Sequence, residues 1–155
     1  MDVNIEKVNS NEREQLERLL QLYLHDISLY FPITFNSKTC EYDYNLDSYF
    51  DVNYAYFIKS NNEILGIILI DHNSKDRYEI SEFFVLNNYK RRKVGNIAAK
   101  KVFDLYKGNW TIKAVPSSPI AETFWINTVD EYTNGKFQLE HTGKYNRLEI
   151  YFNNI

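Results

Sequence analysis

A run of four consecutive cations, Lys90–Lys93, stands between a predicted buried strand and a predicted helix. It lies within the stretch EFFVLNNYKRRKVGNIAAKKVF (82–103), where Gly95 follows the run closely. The first turn of a helix has unpaired backbone N–H groups and a partial positive charge. A glycine lets a phosphate approach the backbone, and flanking Lys and Arg side chains neutralise its charge. The pattern therefore predicts a binding site for a phosphate or pyrophosphate group.

The same turn has two other interpretations, a solvated basic loop and a small nucleic-acid-binding patch. A formal net charge of −3 argues against a general nucleic-acid-binding protein, which would carry a basic face. The turn is not a P-loop, because GxxxxGK(S/T) is absent, and one glycine does not make a dinucleotide-binding fingerprint. We therefore expect no nucleic-acid partner.

The length of 155 residues fits one domain with a single core, expected to span 1–155. Cys40 is the single cysteine, which excludes an internal disulfide and a cysteine-based metal site. No spacing of His, Asp and Glu indicates a metal site either. The N-terminus has no apolar signal segment, and no apolar run approaches the ~20 residues of a membrane span. We expect a cytoplasmic protein without a membrane partner.

Hydrophobic periodicity predicts an α/β (α+β) fold with a mixed sheet of about seven strands. The predicted strands are 2–8, 54–60, 63–71, 77–86, 110–115, 136–143 and 146–153. The predicted helices run from Asn11 to before Pro32, from Val94 to before Gly108, and from Pro119 to about Glu131. The second helix is expected to turn inward Val94, Ile97, Ala98, Val102 and Leu105. Strand–helix alternation over 77–131 requires parallel neighbours, whereas hairpins such as the one at Asn61-Asn62 require antiparallel ones.

The basic turn resembles motif A of the GNAT acyltransferases, whose loop reads (Q/R)-x-x-G-x-(G/A) between the fourth strand and the following helix. Here the six positions are Lys90 to Gly95, with the final glycine in place and a cation in the first position. Lys93 stands where the family has its first glycine. The element order also resembles the family over nearly the whole chain, which implies the GNAT fold with splayed fourth and fifth strands.

A second segment, PSSPIAETFW (116–125), is similar to the family's motif B, N-x-x-A-x-x-(F/L)-Y. Ala121 and Phe124 fall on family positions, whereas Ser118 replaces the usual Asn and Trp125 the usual Tyr. The segments LYLHD, EFFVL, FW and EYTNG are also similar to those of a narrower group of predicted bacterial acetyltransferases.

The resemblance implies acetyl-CoA as the co-substrate. In the family, pantetheine pairs with the backbone of the fourth strand, and the pyrophosphate binds amides of the following turn. The implied cofactor-binding residues are Phe84, Val85 and Leu86 on the strand, Arg91, Arg92, Lys93, Val94, Gly95 and Asn96 in the turn, and Ser118, Phe124 and Trp125 in motif B.

The family's reaction is direct attack of a neutral amine on the thioester in a ternary complex, which needs a general base. We predict Glu82 as this base, because a carboxylate within an apolar strand is rarely buried without a function or a partner. The alternatives are a structural ion pair and a water-exposed edge, and Glu79 is a second candidate. The family's usual acid is the motif B tyrosine. Trp125 has no dissociable proton, so the acid role stays open.

The acceptor site is expected near the end of the first helix, where the family often builds its acceptor pocket. His25 and Asp26 close that helix, although helix capping is an alternative role for them. Tyr44 and Asp47 belong to a cluster of rings and carboxylates that could bind a cationic amine, or could simply pack a loop. The remaining members of that cluster are Tyr42 and Tyr49.

These observations predict an N-acetyltransferase that acts on a primary amine of a small molecule or peptide. A non-catalytic acyl-CoA-binding or sensor domain is the competing class, and both Lys93 and Trp125 favour it. The tyrosine-rich surface and the last two strands could also support a homodimer.

Overall fold

Nine β-strands and three α-helices form the chain, and the computed structural model describes all residues from 1 to 155. In chain order, these elements are β1 (Asn4–Lys7), α1 (Arg13–Ile27), β2 (Phe35–Asn36), β3 (Glu41–Tyr42), β4 (Tyr54–Ser60), β5 (Glu63–Ser74), β6 (Arg77–Val85), α2 (Val94–Leu105), β7 (Asn109–Lys113), α3 (Pro119–Thr133), β8 (Gln138–Thr142) and β9 (Arg147–Asn153). Short 3-10 helices lie at Ser10–Glu12, Asp47–Phe50 and Asn87–Tyr89.

Seven of the strands form one mixed sheet in the order β1-β4-β5-β6-β7-β9-β8. The β6–β7 pair is parallel, because α2 carries the chain back between these strands. The other pairs in this sheet are antiparallel. The predicted mixed α/β sheet of seven strands is therefore confirmed. β2 and β3 form a separate ribbon that the sequence analysis does not predict.

The helices pack on both faces of the seven-stranded sheet. α2 and α3 cover one face, the α2/α3 face, where 20 buried residues form the larger core cluster. α1 covers part of the other face, the α1 face, over a cluster of 13 buried residues. The buried side chains of α1 repeat at helical spacing and are Leu16, Leu20, Tyr23, Leu24 and Ile27. No helix combines the length and the apolar character that crossing a lipid bilayer requires.

β6 and β7, the predicted fourth and fifth strands, separate at the end of their pairing. Their parallel register ends at the pair Ile80 and Ile112. β7 stops one residue later, at Lys113, whereas β6 continues to Val85. Residues 81–85 therefore have no partner strand on that side, so their backbone can pair with an extended molecule.

A β-bulge bends β6 beside this gap. Leu69 of β5 pairs with Glu82. The next residue, Ile70, pairs with Ile80, so Ser81 is left as the extra residue of β6. As a result, the side chains of Ser81 and Glu82 both reach tyrosines on the α1 face.

Candidate active site

The turn before α2 presents a row of free backbone amides. None of the N–H groups of Arg91–Asn96 donates a hydrogen bond within the chain, and the first bond of the helix runs from Ile97 N to Lys93 O over 3.0 Å. The cations Lys90–Lys93 take part in none of the chain's ion pairs. Consecutive free donors beside four unpaired cations can bind an anion at the start of this helix.

Lys93, the departure from motif A, is the N-cap of α2. It adopts a left-handed conformation, with φ of 60° and ψ of 13°. Glycine reaches this conformation without a steric cost, whereas a residue with a side chain pays about 1 kcal/mol. The backbone at this position thus follows the path that a glycine would favour, although a lysine occupies it.

Gly95 lets the first turn of α2 lie directly against aromatic rings. A Cβ atom on this residue would stand 3.1 Å from the Phe124 ring and 3.3 Å from the Phe83 ring. The rings of Phe83, Phe124 and Trp125 form a cluster with centroids 4.9 to 5.7 Å apart. Trp125 is only 6% exposed and packs on the α2/α3 face, so it lies across the sheet from the Glu82 side chain.

Ser118, at the motif B asparagine position, caps α3. Its buried hydroxyl accepts a hydrogen bond from Ala121 N over 3.2 Å. Asn96 faces the same helix, because its amide group donates to Glu131 over 3.1 Å. Lys100 reaches the same carboxylate over 2.7 Å. These contacts fix α2 against α3 and leave the backbone N–H of Asn96, rather than its side chain, for an anion.

The predicted pantetheine-pairing residues differ in what their backbones offer. Phe84 is 7% exposed, and its ring packs 5.7 Å from that of Tyr23. Phe84 and Val85 both lie within the stretch of β6 that has no partner strand on the β7 side. Leu86 has both backbone groups engaged, since its N–H donates to Leu65 O over 2.8 Å and its carbonyl accepts from Tyr89 N over 2.9 Å. Phe84 and Val85 are therefore better placed to pair with an extended ligand.

Glu82 is held by two tyrosines on the α1 face. The Tyr23 hydroxyl donates to Glu82 Oε1 over 2.8 Å, and the Tyr44 hydroxyl donates to Glu82 Oε2 over 2.7 Å. Burial raises the pKa of Glu82 above its ordinary value, and the two hydroxyls and the charge of Arg147 offset this only in part. The carboxylate is thus oriented and more basic than an exposed glutamate, as a general base requires.

A second polar cluster adjoins this carboxylate. Tyr49 contacts Asp71 through a short hydrogen bond and lies 2.8 Å from the Ser81 hydroxyl. Ser81 in turn donates to Leu69 O over 3.0 Å. Burial and the Asp71 hydrogen bond raise the pKa of Tyr49, so its hydroxyl stays protonated at neutral pH. This cluster fixes the bulge that directs Glu82 toward α1.

Arg147 begins β9 and reaches across the end of β7. Its Nε donates to Ala114 O over 2.7 Å, and its Nη2 to Lys113 O over 3.4 Å. Its side chain lies on the α1 face, because its neighbour Leu148 is buried in the α2/α3 cluster. The positive charge of Arg147 lowers the pKa of Glu82 and the pKa of Tyr23, but burial raises both values above the ordinary ones overall.

The residues predicted to bind the acceptor are spread along α1. His25 Nδ1 lies 3.0 Å from the Tyr42 hydroxyl at the exposed end of α1, and Asp26 is exposed beside it. Asp47 instead forms an ion pair of 2.7 Å with Arg13, at the other end of the helix. Of the four residues, only Tyr44 contacts Glu82 in the structure, and binding roles for the other three stay predictions.

Glu79, the second candidate base, forms an ion pair in which its carboxylate lies 3.0 Å from Lys113 Nζ.

Sequence reasoning missed Tyr23 and Arg147 as neighbours of Glu82. Tyr23 had a detectable signal, since it places a hydroxyl within the leucine stripe of α1. Arg147 had none, because an arginine at the start of a strand is ordinary. No group of three or more His, Cys, Asp or Glu side chains is placed to hold a metal ion.

Several solved structures share this fold. A GNAT-family acetyltransferase from Staphylococcus aureus has 16% identity and a TM-score of 0.65, over 98% of this chain and 99% of that chain. A GNAT-family acetyltransferase from Elizabethkingia anophelis with acetyl-CoA bound has 14% identity and a TM-score of 0.57, over 98% of each chain. Spermidine N-acetyltransferase from Vibrio cholerae, in complex with CoA and spermine, has 9% identity and a TM-score of 0.66, over 97% of this chain and 95% of that chain.

No curated protein matches the chain in sequence. Residues 16–122, however, match the model of the acetyltransferase (GNAT) family. That match covers more than half of the chain and includes β6 with Glu82, the gap beside it and the turn before α2. The chain therefore belongs to the GNAT family of acetyltransferases.

Proposed function

We propose that the protein is an N-acetyltransferase that transfers the acetyl group of acetyl-CoA to a primary amine, by direct attack in a ternary complex. The observation that carries this proposal is the position of Glu82. Glu82 lies on β6, the strand whose free edge adjoins the turn before α2. Its carboxylate accepts hydrogen bonds from the hydroxyls of Tyr23 and Tyr44.

The residues of the turn and of β6 fit acetyl-CoA. The free amides of Arg91–Asn96 and the unpaired cations beside them suit a pyrophosphate. The unpartnered edge of β6 suits the amide groups of pantetheine, which can pair as an extra strand would. The E. anophelis structure holds acetyl-CoA and the V. cholerae structure holds CoA on the same fold, which supports the assignment.

When bound, acetyl-CoA would supply a thioester carbonyl: attack of a neutral amine there would form the amide C–N bond and break the C–S bond, so that CoA leaves as a thiolate and takes a proton from water. Ionised Glu82 accepts the proton that the amine loses, directly or through one water. Tyr23 and Tyr44 hold the carboxylate and leave its other lone pairs for that proton. Trp125 packs on the opposite face of the sheet, so we assign it to the core and to no proton transfer.

The second candidate function is a non-catalytic acyl-CoA-binding or sensor domain. It is favoured by the core position of Trp125, which leaves the family's usual acid without a replacement. The two functions share the turn and differ at Glu82, so turnover separates them.

The first test is calorimetric titration with acetyl-CoA and with CoA. We expect saturable binding of both, weakened in Arg92→Ala and unchanged in Arg18→Ala, whose side chain pairs with Glu14 on α1. No binding of either compound would overturn the proposal.

The second test is release of CoA in the presence of an amine library. Glu82→Gln should bind acetyl-CoA as the wild type does but release CoA at least about a hundredfold more slowly. Binding without amine-dependent release by the wild-type protein would favour the sensor function.

The finer expectations from the sequence stay predictions. They are a single domain over 1–155, a cytoplasmic location and a homodimer. The name of the V. cholerae enzyme gives spermidine, a polyamine, as its acceptor. In this chain the charges near Glu82 are not all acidic, because the charge of Arg147 also acts on this carboxylate.

A further inference from the structure

The guanidinium of Arg147 is a cation without a carboxylate partner beside the proposed active site. Arg147 takes part in none of the chain's ion pairs. Lys113, on the neighbouring strand, is paired instead, with Glu79 at 3.0 Å and Glu149 at 3.9 Å. The positive charge of Arg147 is therefore free for a ligand, whereas that of Lys113 is not.

Two backbone contacts fix the orientation of this guanidinium. Nε donates to Ala114 O over 2.7 Å and Nη2 to Lys113 O over 3.4 Å. A guanidinium has five N–H donors in a planar fork, so donors on both Nη atoms remain free. The side chain is only partly buried. A fixed, partly exposed fork of this kind suits a carboxylate, which it can bind through two parallel hydrogen bonds.

Arg147 and Glu82 lie on opposite sides of the gap between β6 and β7. Glu82 belongs to β6, and Arg147 is bound to Lys113, the last residue of β7, and to Ala114 directly after it, where the chain separates from β6. Both side chains lie on the α1 face. A ligand that enters this face of the gap meets a carboxylate on one side and a guanidinium on the other.

We propose that Arg147 binds the carboxylate of the acceptor while Glu82 receives the proton of its amine. The acceptor class is then an amine that carries a nearby carboxylate, as in a free amino acid. This inference rests on the proposed function. It departs from the alternative that Tyr44 and Asp47 bind a cationic amine, since Asp47 is already paired with Arg13 and is not free to bind a cation.

The alternative is that Arg147 only holds the end of β7 in place. A structural role would lower the turnover of every acceptor alike when the side chain is removed. A binding role would lower the turnover of acceptors with a carboxylate further than that of acceptors without one. Matched acceptors therefore separate the two roles when rates are compared per neutral amine, because the carboxylate also changes the pKa of the neighbouring amine.

The experiment measures kcat/KM for CoA release with sets of an L-amino acid, its α-amide and its decarboxylated amine. A charge-assisted hydrogen bond is equivalent to about tenfold to a hundredfold in binding, so the wild type should prefer the acid by that factor. Arg147→Met should abolish the preference: the rate with the acid should fall about tenfold to a hundredfold further than the rate with the amide, whose own change reports the loss of the Arg147 charge near Glu82. Arg77→Met, at the distant start of β6 on the same face, should keep the preference.

Three outcomes would overturn the inference: no preference for acids in the wild type, equal losses for acids and amides in Arg147→Met, or no turnover of any acid tested. If Arg147→Met does not fold, the preference of the wild-type protein for the acid over the amide is the test of the inference. Failure of the proposed function is distinguishable, because it appears either as absence of CoA binding in calorimetry or as CoA binding with no release of CoA by any amine, with or without a carboxylate. Acetylation of amines that lack a carboxylate, with no faster acetylation of the matched acids, would refute only the role of Arg147.

Discussion

The Tyr44 hydroxyl donates a hydrogen bond of 2.7 Å to Glu82 Oε2, although the two residues are 38 positions apart in the chain. Tyr44 belongs to the irregular segment between β3 and the 3-10 helix Asp47–Phe50, and Glu82 to the bulged strand β6. Through this hydrogen bond, the irregular segment that contains Tyr44 becomes part of the environment of the proposed base. Because the donor stabilises the ionised carboxylate, it bears directly on the pH at which Glu82 can act.

Tyr44→Phe should move the pH dependence of catalysis upward. The variant loses a donor to the ionised form, so the pKa of Glu82 rises further above its ordinary value. The base acts when it is ionised, so kcat/KM rises with pH through this pKa, and the midpoint should move by about one pH unit. The measurement is the pH profile of kcat/KM. Tyr132→Phe is the matched control, because its hydroxyl donates to Asp104 on α2. An unshifted midpoint in Tyr44→Phe would contradict the role of Glu82 as base.

Glu82→Gln should change the pH dependence of stability as well as activity. The folded protein raises the pKa of Glu82, so this residue favours the fold most when protonated. That contribution is present below the ordinary carboxyl pKa and is lost as the pH rises through the raised pKa. The unfolding free energy of Glu82→Gln should therefore increase relative to that of the wild type as the pH rises from the ordinary carboxyl pKa through the raised pKa of Glu82. Urea titrations across this range test the sign, and the opposite trend would show that the tyrosine hydrogen bonds outweigh burial.

Much of the fold follows from local pattern. Leu16, Leu20 and Leu24 recur at helical spacing within the predicted first helix, and all three are buried in α1. The predicted turn at Asn61-Asn62 joins β4 to β5, with φ of 51° and 67° at its two residues. Asparagine tolerates this left-handed conformation, which is why the dipeptide is informative. Such signals involve neighbours in the chain, and spacing alone can detect them.

Packing partners distant in sequence are not detectable in this way. The predicted inward face of α2 included Leu105, which is 53% exposed, and omitted Phe103, which is fully buried. Phe103 packs against Trp110 and Phe152, whose rings are 5.0 and 4.9 Å away. This error arises because the partners on β7 and β9 decide which side of the last helical turn is covered.

The environment of Glu82 shows the same limit. The sequence contains 13 tyrosines, and the spacing of residues does not tell which of them reach the carboxylate. Tyr23 lies 59 positions from Glu82 and meets it because α1 packs across the bulge of β6. The strand and turn that hold the site could be predicted, but its proton-donating neighbours could not.

Gly66→Ala should be strongly destabilising and should disturb the free edge of β6, where we propose that pantetheine pairs. Gly66 of β5 pairs with Val85 of β6. A Cβ atom on Gly66 would stand 2.0 Å from the Phe84 carbonyl oxygen. The clash is with backbone, so β6 must shift, and we expect a loss of about 2 to 4 kcal/mol in unfolding free energy. Urea denaturation and CoA titration measure the two effects. Gly143→Ala is the control, because its Cβ meets no atom within 4 Å and its φ of 79° reports left-handed strain alone. Equal losses in both variants would show that the clash is relieved.

Lys93→Gly separates the backbone of the turn from its charge. The left-handed Lys93 costs about 1 kcal/mol relative to glycine, and the greater freedom of glycine in the unfolded chain offsets most of this gain. The unfolding free energy should therefore change by less than about 1 kcal/mol. Because the amides of Arg91–Asn96 are the proposed anion site, Lys93→Gly should bind CoA at least as tightly as the wild type. Lys93→Ala removes the same charge and keeps the left-handed backbone, so it should bind CoA as tightly as Lys93→Gly does. Equal weakening of CoA binding in both variants, measured by calorimetry, would instead assign the affinity to the lysine charge.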